Sequence, residues 1–238
     1  MSVVIPTYNR RQMLLRSLQT IFSQDLAPEL YEVIVVVDGS TDGTAEALRE
    51  LRPSCALRVL ERPHGGLSPA RNDGIWAARG EIILILDDDL LCEPDLLRQH
   101  LAAHQGAPPQ VVQGSNPVSQ ESPKTLAADC YRFREETQKR AEGDASDPEF
   151  CWLLWPTVEA NSSIHRAVLR QWGAYDVSIP YAREGAEIGM RFWKKGVPFR
   201  YLPTAVAHHV IVKKTRDMVC RDAPLWGRNE LRLASAAQ

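Results

Sequence analysis

Glu32-Val33-Ile34-Val35-Val36-Val37-Asp38-Gly39-Ser40-Thr41-Asp42-Gly43-Thr44 runs five apolar residues together, then closes on a carboxylate and a glycine-containing turn. A half-buried strand alternates polar and apolar residues, whereas an unbroken apolar strand is buried on both faces, as in the middle of a parallel sheet. The turn that follows is rich in Asp, Gly, Ser and Thr. Asp42 or Thr44 is placed to cap a helix running to Leu51. Upstream, Ser2–Pro6 is a β-branched run, and Arg10–Gln24 carries Leu14, Leu18, Ile21 and Phe22 at helical spacing. Downstream, strands are expected at Leu57–Leu60, Glu81–Leu86 and Val111–Gly114, with helices over Ser68–Arg79 and Pro94–His104, the latter with proline in its first turn. This strand–helix rhythm predicts an α/β fold with a mostly parallel, Rossmann-like sheet flanked by helices.

The chain after Asn116 is less regular. A helix is expected around Leu126–Glu142, a loop at Gly143–Pro148, a helix over Ala182–Lys195 closed by Gly196, and one or two strands within Pro198–Val212. Trp152, Trp155, Trp172 and Trp193 all fall here, as expected for a smaller region that packs aromatics or lines a cleft. The pattern divides the chain into residues 1–115 and 116–238, with no internal repeat.

The 238 residues include 44% hydrophobic and 24% charged side chains, ordinary for a globular protein with a sizeable core. Lys and Arg total 28 against 30 Asp and Glu. That balance argues against a nucleic-acid binder driven by counterion release. The apolar runs Val33–Val37 and Ile82–Leu86 are five residues long, and a membrane span needs about 20. Ser2-Val3-Val4-Ile5-Pro6 enters the first strand directly, so no signal peptide is expected. The five cysteines lie far apart without a C-x-x-C pair, which fits a reducing cytoplasm better than a disulfide framework or a thiolate zinc site. From Arg191 to Arg232 ten Lys and Arg face three Asp and Glu. This stretch reads either as a solvated face or as a positive rim toward a diphosphate or the inner surface of a membrane.

Open parallel sheets bind ligands beyond the carboxyl ends of their strands. Thr7-Tyr8-Asn9-Arg10 follows the first strand, Asp38-Gly39-Ser40 the second, and Asp87-Asp88-Asp89 the strand at Glu81–Leu86, so all three converge on one edge. On an extended backbone alternate side chains point the same way, which would put Asp87 and Asp89 on one face and Asp88 on the other. Adjacent carboxylates of this kind suit Mg2+ or Mn2+ together with phosphate oxygens. Asp38 is placed to accept a hydrogen bond from a nucleobase or ribose, or to form an Asx-turn over Gly39-Ser40. Arg71 follows His64-Gly65-Gly66-Leu67-Ser68-Pro69-Ala70 into a helix, where an arginine could reach a diphosphate.

Taken in order, Ser2–Arg10, Glu32–Thr44, Ala70-Arg-Asn-Asp-Gly74 and Gly80–Asp89 resemble the family 2 glycosyltransferases with the GT-A fold. The likeness continues through Asn161–Arg166, Gly173–Asp176, Arg183–Glu187 and Pro203–His209. The resemblance implies an inverting transfer of a sugar from a nucleotide-diphosphate sugar, UDP-linked by expectation, to an acceptor hydroxyl with Mg2+ or Mn2+. Residues 1–115 would bind the donor and 116–238 the acceptor, read around Trp152 and Trp155. Pro6, Tyr8 and Asp38 would meet the nucleotide and Arg71 its diphosphate, and Asp87-Asp88-Asp89 would be the family's D-x-D element, with Asp87 on the cofactor side and Asp88 near the ribose and the metal's water shell. Asp89 would contact the metal, completed by His208 or His209. Glu184 would be the base.

Two positions depart from the pattern. Val37 stands where a second acid often precedes Asp38. Gly185 stands where a second carboxylate usually follows Glu184, leaving Glu184 as the base or recruiting Glu187 one turn on, unless Glu187 pairs with Arg191. Gly185 also admits a nucleotide-sugar binder without catalysis. A nucleotidyltransferase would need a basic glycine-rich loop near the N-terminus, which Pro6–Arg10 does not supply.

Overall fold

Ser2–Thr7 forms β1 and Glu32–Asp38 forms β2, and every residue of both strands is buried. Their side chains alternate between two cores. Val3, Ile5, Val33, Val35 and Val37 pack with Leu14, Leu18, Ile21 and Leu48, whereas Val4, Ile34 and Val36 pack with Ala70 and Ile75. The first group comes from helices α1 (Arg11–Phe22) and α2 (Thr44–Glu50), the second from α3 (Leu67–Ala77). The unbroken apolar strands are therefore covered on both faces, as their composition requires.

A computed structural model of the protein describes residues 1–132, 157–179 and 181–211, together with 216, 220, 223–225 and 228–229. The remaining named elements are β3 (Ala56–Arg62), β4 (Ile82–Ile85), β5 (Leu90–Cys92), α4 (Leu96–His104), β6 (Val111–Ser115), β7 (Ser162–His165), α5 (Arg166–Trp172), α6 (Glu184–Lys194) and β8 (Phe199–His209). Residues 126–132 are helical, and the rest of the helix expected to Glu142, the Gly143–Pro148 loop, Trp152 and Trp155 lie outside the described residues.

Among the described residues eight strands form one curled sheet in the order β3-β2-β1-β4-β7-β6-β8-β5. The first four are mutually parallel, with Thr7 opposite Val37 and Val4 opposite Ile85. The sheet changes character beyond β4. β7 runs antiparallel to both β4 and β6, and β5 antiparallel to β8, while β6 and β8 are parallel. The helix at Pro94–His104 begins later than expected, at Leu96, with Asp95 as the residue before its first turn. Among the described residues no helix is long and apolar enough to cross a membrane.

Two features set up the functional edge. β5 pairs Leu90 with His209 on β8, and the Val210 N–H donates to the Asp89 carbonyl at 2.9 Å, so the end of β8 is laid beside the acidic turn. Ahead of α6, Ala182 and Arg183 adopt φ of 63° and 78°, a region that non-glycine residues rarely occupy. The Asn229 side chain donates to the carbonyls of Tyr181 and Ala182 at 3.1 and 2.6 Å, holding this strained entry to the helix.

Candidate active site

The acid triplet sits where β4 ends, but not as an extended strand. Asp88 and Asp89 form a turn, and this redirects their side chains. The expectation that Asp87 and Asp89 share a face is corrected here, because the alternation rule holds only for extended backbone. Asp88 and Asp89 instead converge on Arg10, whose Nη1 donates to Asp88 Oδ1 at 2.9 Å and Asp89 Oδ2 at 2.6 Å. Thr7 Oγ1 donates to Asp88 Oδ2 at 2.8 Å. Asp87 turns the other way and accepts from Arg71 Nη2 at 2.8 Å.

Both turn carboxylates are buried, and their electrostatics diverge. Burial pushes Asp88 up to about 7, with Arg10 opposing and the Asp89 charge adding to the rise. Burial would raise Asp89 too, but His209 and Arg10 outweigh it and hold that carboxyl well below the usual range. His209 Nε2 lies 3.2 Å from Asp89 Oδ1. Burial would lower the His209 pKa, and the Asp89 charge reverses that into a rise. His208, the next residue on the strand, faces away and meets Glu93 Oε1 at 2.8 Å. Of the two histidines considered for a metal, the strand's alternation thus brings only His209 to Asp89.

These residues fit a divalent cation by one specific observation. Asp89 Oδ1 is buried without a hydrogen-bond partner, its separation from His209 lacking hydrogen-bond geometry. A buried hard oxygen that meets an imidazole at 3.2 Å without forming a well-aligned hydrogen bond is open to a further cation. Among the described residues no group of three or more metal-ligating side chains is gathered. Asp89 and His209 would hold Mg2+ or Mn2+ jointly with phosphate oxygens and water, the usual composition of such sites.

On the other flank, Asp38 is 3% exposed and fully engaged. It pairs with Arg62, accepts from the N–H groups of Gly65 and Gly66 at 3.0 and 2.8 Å, and has His64 Nδ1 at 2.9 Å. It therefore anchors the loop between β3 and α3. The Asx-turn over Gly39-Ser40 is not where its oxygens go. Tyr8 is exposed and stacks on His64, ring centroids 4.0 Å apart and planes 20° apart. Pro6 lies within β1, opposite Val36. A flat aromatic face and a carboxylate thus stand together at the ends of β1 and β2.

Arg71 is buried in the middle of the site. Its Nη1 donates to Glu184 Oε1 and its Nη2 to Asp87 Oδ1, both at 2.8 Å. Burial would lower its pKa, but Tyr175, Asp87 and Glu184 outweigh that and keep it charged. Glu184, first residue of α6, is buried as well. Its pKa is raised by burial, Arg71 pulling it down while the charges of Glu159 and Asp87 push it further up. Glu187 accepts from Arg191 Nε at 2.7 Å and Nη2 at 3.0 Å, the salt bridge its spacing suggested. A separate surface hollow of about 380 Å³, lined by Glu81, His165, Arg166 and Arg170, lies at the amino end of β4, away from these acids.

Sequence reasoning gave no role to Arg10, His64 or Glu159. Arg10 was the findable one, being a cation within the block that follows β1. His64 and Glu159 owe their places to contacts that no local pattern announces.

The family model described as glycosyl transferase family 2 matches residues 2–171. The chain belongs to glycosyl transferase family 2. Among curated relatives, a validoxylamine A glucosyltransferase of Streptomyces hygroscopicus subsp. limoneus is 33% identical over 227 residues, covering 83% of this chain and 49% of that protein. The chain spans about half the length of the first curated relatives it matches. The family 2 architecture here is the GT-A fold. The mannosyltransferase PcManGT of Pyrobaculum calidifontis, solved in complex with GDP-Man and Mn2+, superposes with a TM-score of 0.71 at 22% identity, covering 97% of this chain and 64% of that one. Residues 1–349 of S. aureus TarS in complex with UDP superpose with a TM-score of 0.70 at 19% identity, covering 88% and 60%.

Proposed function

We propose that this family 2 chain transfers a sugar, with inversion, from a nucleotide-diphosphate sugar to an acceptor hydroxyl, using Mg2+ or Mn2+. The observation that carries the reading is Asp89 Oδ1, a buried carboxylate oxygen just beyond the carboxyl end of β4 that meets His209 at 3.2 Å without a well-aligned hydrogen bond. Tyr8, Asp38 and His64 form the side that receives the nucleoside, the ring of Tyr8 supplying a face for the base and Asp38 holding the loop on which His64 stands. UDP is the donor nucleotide we favour, in keeping with the UDP complex of TarS.

Asp89 and His209 would hold the cation, which when bound supplies positive charge against the departing diphosphate. Arg10 adds a fixed guanidinium beside the same carboxylates, a preorganised charge that needs no reorientation as the leaving group develops. Asp87 and Glu184 fix Arg71 between the donor edge and α6. A carboxylate on the α6 side takes the acceptor's proton while its oxygen attacks the anomeric carbon opposite the leaving group.

The test is release of nucleoside diphosphate from UDP-glucose, UDP-GlcNAc and GDP-mannose, with and without Mn2+. Turnover that EDTA removes and that Asp89→Ala lacks is expected. Turnover that persists in EDTA removes the metal from the reading.

A further inference from the structure

Gly185, second residue of α6, faces a space that is already filled. A Cβ built there would lie 2.3 Å from Glu159 Cγ, 3.2 Å from Glu159 Cδ and 2.8 Å from the Val158 carbonyl oxygen. No side chain fits at 185 while Glu159 holds that position. The Glu159 Cγ methylene therefore occupies the space of a residue-185 Cβ, and its carboxyl carbon lies 3.2 Å from that point. We propose that Glu159, reaching in from the segment before β7, is the catalytic base that deprotonates the acceptor, and that Glu184 is a positioning residue acting through Arg71. This inference rests on the transferase reading above.

Three observations support it. The backbone carrying Glu159 is fixed: the Val158 N–H donates to the Gly185 carbonyl at 2.9 Å, the Tyr175 hydroxyl to the Val158 carbonyl at 2.9 Å, and the Glu159 N–H to Ser162 Oγ at 3.1 Å. A base must be held in place to contribute, since misplacement alone costs rate. On α6 itself, Glu184 is buried against Arg71 and Glu187 is bound through two atoms to Arg191, which gives each a guanidinium to position. Glu159 is half-buried, so it keeps contact with solvent, and the positive end of the α6 dipole lies beside it.

The step balances simply. The acceptor O–H proton passes to the Glu159 carboxylate as the acceptor oxygen bonds to the anomeric carbon. The bond from that carbon to the diphosphate oxygen breaks, and its electron pair leaves with the nucleoside diphosphate.

The experiment uses water as the acceptor. Release of UDP from UDP-glucose or UDP-GlcNAc, or of GDP from GDP-mannose, is followed in the intact chain with Mn2+, alongside calorimetric binding of UDP. Glu159→Gln should lose about 100-fold or more in kcat, the range of a general base, with UDP affinity within about twofold of the parent. Formate should restore part of the turnover of Glu159→Ala, which a merely structural role would not allow. Glu159→Gln turning over within about threefold of the parent overturns the assignment, as does Glu159→Ala that formate fails to rescue. A parent chain that binds UDP and releases nothing from any of the three donors removes the transferase reading itself, and the base with it.

Discussion

Arg71 Nη1 donates to Glu184 Oε1 at 2.8 Å, tying the second turn of α3 to the first residue of α6 across 113 positions of sequence. The same guanidinium holds Asp87, so one buried cation joins the donor edge of the sheet to the helix on the other side.

Removing it should be costly for the fold as well as for catalysis. Arg71→Ala leaves Glu184 buried and uncompensated, and breaking a buried pair from one side typically costs about 3–5 kcal/mol. Arg71→Lys should not repair this, because an ammonium cannot reproduce the planar fork that spans two carboxylates. Urea unfolding of both variants measures the loss. An Arg71→Ala chain within about 1 kcal/mol of the parent would show the pair to be dispensable to stability.

Gly74 gives a second prediction from packing alone. It closes the Ala70-Arg-Asn-Asp-Gly block on α3, and a Cβ there would lie 2.3 Å from Val4 Cγ1 and 3.1 Å from Val36 Cγ2. Gly74→Ala favours helix formation locally but overpacks the contact between α3 and the two central strands. A net loss of about 1–3 kcal/mol is expected in the unfolding midpoint. A stabilised variant would mean that α3 can move off the sheet at no cost.

What the sequence disclosed follows the same physics. β1, β2 and β4 were legible because strands buried on both faces must be continuously apolar. β5 and β7 were not, being three and four residues long. β7 hides its burial behind polarity: Ser162 and Ser163 are buried because Gln113, His100 and His104 satisfy them. The acidic triplet announced the site, yet the turn at Asp88 and Asp89 decided which acid faces which cation. The Arg10 contacts span 78 and 79 positions, and Glu159 meets Gly185 from a separate segment of the chain, so neither leaves a local signature. The absence of a side chain at 185 was visible. Its cause was not.

Arg10 and a divalent cation compete for Asp89 in the third prediction. Arg10 Nη1 sits 2.6 Å from Asp89 Oδ2 and 2.9 Å from Asp88 Oδ1, and two positive charges around these carboxylates repel. Arg10→Ala should bind Mn2+ at least about threefold more tightly without nucleotide, a gain of roughly 0.7 kcal/mol. Electron paramagnetic resonance of Mn2+ reads this directly, independent of turnover. Weaker Mn2+ binding in the variant would make Arg10 a support of the metal site and not its competitor.

His100 and His104 carry the last prediction, which concerns pH. His100 Nε2 lies 2.8 Å from Asn161 Oδ1, and Ser163 Oγ lies 2.8 Å from both His100 Nδ1 and His104 Nε2. Burial pushes His100 down to about 4, the Asn161 hydrogen bond opposing. Burial also brings His104 to about 4, aided by the charges of His100, His165 and Arg200. Both rings are therefore neutral when folded and take up protons more readily in the unfolded chain. Their contribution is fully present above pH 6.5, the ordinary histidine value, and is lost as the pH falls toward 4. For His100 alone that loss is on the order of 3 kcal/mol. Thermal unfolding between pH 7.5 and 4.5 should therefore fall more steeply in the parent than in His100→Asn, although the variant starts lower because it gives up the buried ring. Parallel curves for the two chains would locate the acid sensitivity in other groups.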